Sequence, residues 1–208
     1  MNVMVLSGSP KGESSVTLHF CKYIEQSDPG HQWQICHGAR DVQHIEKEEK
    51  RRTDLWNQIE KSDLILWSFP VYYMSVPGQF KRFIDILYRS EFSDALSGKA
   101  AAILSTSIHF YDHTAHAYMR AVCRDLGMRL VGGFSASMHD LLEKKGRGKL
   151  MAHWQEWMRI HADDGEFYEP VMTEREPDAL SDAHLFEGIS QLGQEKTAIV
   201  GDFSRNAN

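Results

Sequence analysis

The chain has 208 residues and a formal net charge of −6, with 23 Lys and Arg against 29 Asp and Glu. The basic residues form no stripe, which argues against nucleic-acid binding. No apolar run approaches the roughly 18 residues of a membrane span, and three scattered cysteines give no disulfide framework. We therefore expect a cytoplasmic α/β protein with one domain over residues 1–161 and an extension over 162–208.

The first predicted strand, Asn2–Leu6, leads through a hydroxyl-rich loop into a predicted helix over Ser15–Gln26. Backbone N–H groups and the positive end of a helix dipole can hold an anion at such a junction. The alternative is a surface turn with a helix cap, because Ser and Thr favour helix starts. On the first interpretation, the residues that hold a phosphate are Ser7, Ser9, Lys11, Ser14, Ser15 and Thr17.

The glycine spacing in this loop excludes two nucleotide motifs. Gly8 and Gly12 lie four residues apart and Glu13 follows, so the loop is not a Walker A sequence. Pro10 stands where a dinucleotide fingerprint needs its second glycine. Hydroxyl donors with a single lysine suit a phosphate monoester such as that of FMN.

The next predicted elements are a strand over Gln32–Cys36, a helix over Thr53–Lys61 and a strand over Asp63–Ser68. The run Glu46–Arg52 mixes charges of both signs and is interpreted as a solvated helix start. The apolar strand at 63–68 predicts burial on both faces, and a helix is predicted over Val76–Arg89.

An aromatic loop separates that third strand from its helix. Open α/β sheets bind ligands at the carboxyl ends of their strands, so these rings can stack on a planar ligand. The alternative is a hydrophobic loop that covers the core or contacts another subunit. The loop residues are Pro70, Val71, Tyr72, Tyr73, Met74 and Ser75.

Together the segments Gly8–Thr17 and Pro70–Asp85 resemble the flavodoxin-like NADPH-dependent FMN reductases, including the iron–sulfur flavoprotein branch. The resemblance covers roughly residues 1–140. It implies a doubly wound, five-stranded parallel sheet with helices on both faces, bound FMN and NAD(P)H as co-substrate. It also implies that the aromatic loop lines the isoalloxazine ring. Ile86 stands where many relatives carry an arginine.

The remaining predicted elements are strands over Ala100–Thr106 and Leu130–Ser137 and helices over Thr114–Leu126 and Leu142–His161. The loop after the fourth strand is glycine-rich in many relatives but not here. Its candidate flavin contacts are Thr106, Ser107, His109 and Tyr111; for His109 and Tyr111 the alternative is a plain surface loop.

Metal binding is not expected. His113 and His116 can share a helix face beside Asp112, yet no compact set of further ligands follows in sequence. An iron–sulfur cluster normally needs four thiolates, and the chain has only Cys21, Cys36 and Cys123.

The resemblance implies an FMN-dependent oxidoreductase that passes electrons from NAD(P)H to a small acceptor such as a quinone or free flavin. No catalytic side chain is assigned, because the flavin takes the hydride itself. The alternatives are a flavodoxin-type electron carrier and a flavin-free sensor. A homodimer or homotetramer is expected, with residues 162–208 as an arm across the dimer. The alternatives are that this extension packs on another part of the same chain, or that the chain is the front portion of a longer protein.

Overall fold

The computed structural model describes residues 1–108 and 112–167. Five parallel strands form one sheet in the order β2-β1-β3-β4-β5, as the flavodoxin-like prediction requires. The strands are β1 (Asn2–Ser7), β2 (Gln32–Cys36), β3 (Leu64–Pro70), β4 (Ala100–Ser107) and β5 (Arg129–Ser137).

Helices cover both faces of the sheet, which confirms the predicted architecture. The apolar side chains of α1 and α7 pack on one face, and those of α2 to α6 pack on the other. The central strands β1, β3 and β4 are buried on both faces, whereas the edge strand β2 is half-exposed. The helices are α1 (Val16–Ser27), α2 (Gly38–Lys47), α3 (Glu49–Lys61), α4 (Gly78–Leu87), α5 (Ser90–Leu96), α6 (Asp112–Asp125) and α7 (Lys144–Ala162).

The segment between β2 and β3 forms two helices, where a single helix over Thr53–Lys61 was predicted. Glu48 adopts an extended conformation that ends α2 and begins α3, so the charged run 46–52 straddles a helix break. The apolar face of α2 is carried by Ala39, Val42 and Ile45, which are spaced three residues apart and buried. That periodicity was present in the sequence and was masked by the surrounding charges.

Helix α5 was also missed by the sequence prediction. Arg89 adopts an extended conformation and begins a new helix directly after α4. Phe92 and Leu96 lie one turn apart on α5 and are fully buried. Helix α5 has only seven residues, so its apolar residues repeat too few times to distinguish it in the sequence from the end of the helix predicted over 76–89.

The carboxyl ends of β3 and β4 extend further than expected. Pro70 pairs with Thr106 in the sheet register, and Val71 N–H donates to the Thr106 carbonyl at 2.9 Å. Pro70, Thr106 and Ser107 are therefore strand residues and not loop residues. They stand at the edge where β1 and β3 lie side by side and the strand order reverses, which is the usual ligand position in such sheets.

The compact unit that contains the sheet runs from Met1 to Phe167. Phe167 N–H donates to the Leu130 carbonyl at 2.7 Å, so the chain still contacts β5 beyond the end of α7. The predicted extension 162–208 and its role as a dimer arm fall largely outside the described residues. Both, together with the domain boundary after residue 161, stay predictions. No helix in the described part of the chain is both long and apolar enough to cross a membrane.

Candidate functional site

A cleft of about 280 Å³ opens at the carboxyl edge of the sheet, beside the point where the strand order reverses. Its volume is just below the roughly 300–1,000 Å³ typical of small-molecule sites. All three sequence segments assigned to flavin binding contribute to its wall. The lining residues are Ser9, Lys11, Ser15, Val16, Thr17, Pro70, Val71, Tyr72, Thr106, Ser107, Ile108 and Met138.

The first loop is held by close backbone packing. Gly8 N–H donates to the Ser68 carbonyl at 2.7 Å, and a Cβ on Gly8 would lie 2.4 Å from Phe80 of α4. Gly12 has a φ of 56°, in the left-handed region that favours glycine. These two glycines bring the loop against α4 and turn it back toward α1.

The start of α1 faces this cleft. Ser15 is the N-cap residue, and its hydroxyl accepts a hydrogen bond from Leu18 N–H at 3.4 Å. The capping alternative is thus correct for Ser15, but the same residue also lines the cleft together with Val16 and Thr17. The first N–H groups of any helix have no carbonyl partner within the helix, so this end presents donors and a positive dipole to the cleft.

Thr106 connects all three segments of the site. Its hydroxyl lies 2.6 Å from the hydroxyl of Thr17, and both side chains are buried. Its carbonyl accepts from Val71 N–H, and the residue itself belongs to the end of β4. A single residue therefore fixes the helix start, the aromatic loop and the third segment relative to one another.

The aromatic loop is a tight turn whose tip has an uncommon backbone conformation. Tyr72 and Ser75 exchange backbone hydrogen bonds of 2.8 and 3.1 Å across it. Between them, Tyr73 and Met74 have φ values of 46° and 63°, where bulky residues are strained. Tyr73 is 98% exposed, and the Met74 carbonyl accepts a hydrogen bond from Thr114 of α6.

A hydrogen-bonded network extends from the third segment into the protein. Ser105 Oγ lies 2.8 Å from His116 Nε2 and donates to Ser135 Oγ at 3.1 Å. Ser107 Oγ lies 3.4 Å from Ser135 Oγ and donates to Asp112 Oδ2 at 3.2 Å. The network joins β4, β5 and α6 and reaches the cleft at Ser107.

His116 is the buried end of this network. Burial is the main reason why its pKa falls to about 4, and the positive charge of Arg120 lowers the pKa further, against the opposite effect of Asp112. The imidazole is therefore neutral at physiological pH. The sequence offered His116 only as a conceivable metal ligand, whereas the described residues contain no group of three or more His, Cys, Asp or Glu side chains placed to bind a metal.

The structure separates the predicted site residues into three groups. Ser9, Lys11, Ser15, Thr17, Pro70, Val71, Tyr72, Thr106 and Ser107 line the cleft. Ser7 is buried, Ser14 is exposed, and Tyr73, Met74 and Ser75 form the turn beside Tyr72. His109 and Tyr111 lie outside the described residues.

Three cleft residues were not predicted: Val16, Ile108 and Met138. Val16 is the first residue of α1 and Ile108 directly follows β4, so both adjoin predicted contacts. Met138 directly follows β5. Ile108 and Met138 could have been predicted as cleft residues from their positions directly after parallel strands, because the carboxyl ends of such strands meet at one edge of the sheet.

The residues at the cleft fit FMN. Ser9, Ser15 and Thr17 are buried hydroxyl residues at the helix start, and Lys11 adds a positive charge. Ser7, at the end of β1, has a buried Oγ without a hydrogen-bond partner among the described residues. The opposite part of the cleft carries the apolar side chains of Val71, Tyr72, Ile108 and Met138, which suit a planar ring.

The cysteines lie apart from this site. Burial raises the pKa of the thiols of Cys21, Cys36 and Cys123 to about 12 in each case. The Cys21 thiol donates to Ser68 Oγ at 3.2 Å beneath α1. None of these environments favours the thiolate that metal binding or nucleophilic chemistry needs.

Comparison with solved structures shows the same fold in several flavoenzymes. An NADH:FMN oxidoreductase in its apo form has 20% identity and a TM-score of 0.61, covering 86% of this chain and 98% of that one. A flavoenzyme NAD(P)H:(acceptor) oxidoreductase from Paracoccus denitrificans has 20% identity and a TM-score of 0.57, covering 76% and 97%. An FMN-dependent NADH-azoreductase from Bacillus anthracis, in complex with FMN, has 13% identity and a TM-score of 0.51, covering 79% and 99%.

At the level of sequence, a comparison with curated proteins gives no significant match. The NADPH-dependent FMN reductase family, in contrast, matches residues 1–141, which span every strand of the sheet. With the hydroxyl-lined helix start and the aromatic turn at one edge of that sheet, the chain belongs to the NADPH-dependent FMN reductase family and is an FMN-dependent NAD(P)H oxidoreductase.

Proposed function

We propose that the cleft holds FMN with its phosphate at the start of α1 and its isoalloxazine ring against Val71 and Tyr72, and that the enzyme reduces a small planar acceptor such as a quinone or free flavin. The observation that carries the assignment is the contact of Thr17 with Thr106, which brings the helix start and the apolar part of the cleft into one pocket.

The charge distribution around the first loop supports the phosphate position. Glu13 is the one carboxylate of the segment 7–17, and it is engaged by Lys22 Nζ at 2.5 Å and by His37 Nε2 at 2.8 Å. These hydrogen bonds, that of Lys22 first, lower the pKa of Glu13 below its usual value. The pairing screens a negative charge that would otherwise oppose a phosphate, while Lys11 remains at the cleft.

The ring end of the site is built for binding and orientation. Bound FMN supplies the redox chemistry of the enzyme. Val71 is held by its backbone bond to Thr106, and Tyr72 by the paired bonds to Ser75, so the wall of the cleft is fixed before a ligand arrives. No side chain of the cleft is assigned as an acid or base. The chain's own residues would position the flavin ring and exclude water from it.

The rim of the cleft supports an acceptor site for apolar, planar molecules. Tyr73, Ile108 and Met138 are 98%, 77% and 43% exposed around the opening. Exposed apolar patches of this kind usually mark a site where a ligand or another protein binds. We assign it to the acceptor and to a second subunit, in a homodimer or homotetramer. The unpaired cysteines fit a reducing compartment, and we propose a cytoplasmic location.

A titration of the apoprotein tests the phosphate position. Flavin fluorescence should give a dissociation constant for FMN at least tenfold higher in the double variant S9A/T17V than in the parent, since each charge-assisted hydrogen bond contributes about 1.5–3 kcal/mol. Riboflavin lacks the phosphate and should bind both proteins alike. Equal FMN affinity in the two proteins would place the phosphate elsewhere.

Anaerobic mixing with NADH and NADPH tests the reaction. Direct bleaching of the flavin absorbance by either nucleotide, followed by reoxidation with a quinone, is the result expected of the oxidoreductase. A flavodoxin-type carrier would need a partner protein to be reduced. Membership of a reductase family favours the first outcome.

A further inference from the structure

A second cavity, of about 290 Å³, lies at the carboxyl end of β2 and has no part in the proposed function. Apolar residues of β2, α2 and α3 form part of its wall. The polar residues that line it are His37, Arg40, Asp41, Arg51, Asp54 and Gln58. A cavity with an apolar wall and a few polar groups is the usual form of a small-molecule site.

This cavity adjoins the loop to which the flavin phosphate is assigned. Lys11 lines the flavin cleft, and the next residue, Gly12, packs closely on Arg40, because a Cβ there would lie 2.7 Å from the guanidinium Nη1. Glu13 follows and accepts a hydrogen bond from His37 Nε2 at 2.8 Å. Arg40 and His37 both line the cavity, so three consecutive loop residues connect it to the cleft.

The charges that line the cavity balance. Two guanidinium groups, those of Arg40 and Arg51, face two carboxylates, those of Asp41 and Asp54. Arg40 donates to both oxygens of Asp41, at 2.7 and 2.9 Å, and these hydrogen bonds hold the pKa of Asp41 below its usual value. The cavity thus offers hydrogen-bond donors and acceptors without the excess of positive charge that a phosphate dianion needs. A polar ligand group without charge suits it better.

One buried atom of the wall lacks a partner. His37 Nδ1 is buried and has no hydrogen-bond partner among the described residues, while Nε2 of the same ring is engaged by Glu13. Buried polar atoms nearly always have a partner, so this nitrogen indicates a ligand or a bound water. Asp54 and Gln58 lie one turn apart on α3. A carboxylate accepts from ribose hydroxyls, and an amide can donate to and accept from the edge of a base.

We propose that this cavity is a nucleoside site that takes the adenosine of FAD, so that the protein binds FAD as well as FMN. On the proposed function, on which this inference rests, the adenylate half of FAD extends across Gly12 from the phosphate at the start of α1. Asp54 contacts the ribose hydroxyls, and His37 and Gln58 contact the base. The second phosphate stays on the loop side of the cavity, beside Arg40.

The first test needs no flavin. Calorimetric titration of the parent apoprotein should show one site for adenosine, and the double variant D54A/Q58A should bind adenosine about tenfold or more weakly. The control N57A alters a residue of the same helix that does not line the cavity and should bind adenosine as the parent does. Absence of adenosine binding, or equal binding by D54A/Q58A, would reject the nucleoside site.

The second test distinguishes a nucleoside site from an anion site. A phosphate on the ribose 2′-hydroxyl would place a dianion beside Asp54, so 2′-AMP should bind the parent about tenfold or more weakly than 5′-AMP. Tighter binding of 2′-AMP would show that the cavity selects an anion and would overturn the assignment.

The third test compares the two flavins. The parent apoprotein should bind FAD about tenfold or more tightly than FMN, because FAD fills the cavity as well as the cleft. D54A/Q58A should lose most of this advantage and keep the parent's affinity for FMN, whereas N57A should keep both. FAD should displace adenosine from the parent, and FMN should leave adenosine bound.

The outcomes for the two proposals are distinct. If adenosine binds but neither flavin does, the proposed function fails and the assignment of FAD fails with it, while the nucleoside site stands. If FMN binds but FAD has no advantage over it, or if the advantage is the same in the parent and in D54A/Q58A, this inference is rejected and the proposed function is unaffected.

Discussion

The side-chain oxygens of Thr17 and Thr106 lie 2.6 Å apart, although 89 residues separate the two threonines in the chain. The contact joins the first turn of α1 to the end of β4 at a buried point of the cleft. Because both hydroxyls are removed from water, each depends on the other for its hydrogen bond.

Because of this dependence, we expect the loss of one hydroxyl to destabilise the protein more than the loss of both. T17V keeps the shape of the side chain and leaves the Thr106 hydroxyl without this partner, which should cost about 1–3 kcal/mol of unfolding free energy. The double variant T17V/T106V removes both polar groups and should recover part of that loss. Urea unfolding of the parent, both single variants and the double variant measures the coupling; strictly additive losses would show that the hydroxyls do not interact.

The turn at Tyr73 and Met74 predicts a substitution that increases stability. Both residues have left-handed φ values, which cost a bulky residue about 1–2 kcal/mol and cost glycine little. We expect Y73G and M74G each to raise the unfolding free energy by about 0.5–1 kcal/mol, after the greater freedom of glycine in the unfolded chain is subtracted. Tyr72 is not left-handed, so Y72G is the matched control and should destabilise.

His116 predicts a specific pH dependence of stability. Its pKa is about 4 in the folded protein against an ordinary value of 6.5, so the unfolded chain takes up a proton between these values while the folded protein does not. Stability should therefore rise with pH from about 4 to 6.5, by roughly 3 kcal/mol from this group alone. The difference in unfolding free energy between parent and H116Q, followed from pH 7 to 4, isolates the effect from that of the carboxylates. A curve for H116Q that runs parallel to that of the parent would contradict the assignment.

The close packing of Gly8 leads us to expect that the first loop tolerates no side chain at this position. A Cβ at this position would lie 2.4 Å from Phe80, so G8A must displace either the loop or the ring. Overpacking of this kind costs about 1–3 kcal/mol and should also weaken FMN binding. Gly78 has open space around its Cβ position, and G78A is the matched control. Thermal unfolding and FMN titration of the two variants should diverge; if they agree, the loop yields without cost.

The strands and the two principal loops could be predicted because each leaves a local pattern, whereas the doubly wound fold was implied by the resemblance to the family. The run Leu64–Trp67 is apolar without interruption, as a strand buried on both faces requires. The loop at Ser9 and Thr17 combines small and hydroxyl residues at a strand-to-helix junction. In both cases neighbouring residues in the sequence suffice to reveal the structure.

The serine network could not be predicted in the same way. Ser105 meets Ser135 across 30 residues, and the contact exists only once β4 and β5 pair in one particular register. His116 lies on a helix whose rotation about its axis decides whether it faces solvent or the sheet. The sequence therefore offered a histidine near an aspartate, while the packing buries its ring against the Ser105 hydroxyl.

The left-handed turn also bears on how the enzyme can change over evolutionary time. Tyr73 and Met74 occupy a tip that contributes nothing to the buried core, and a glycine there is favoured by the backbone. Substitutions at these two positions therefore change the surface of the turn and leave the buried contact between Thr17 and Thr106 in place. On the proposed function, preference for one acceptor over another can therefore change at the rim, while the residues proposed to hold the flavin stay as they are.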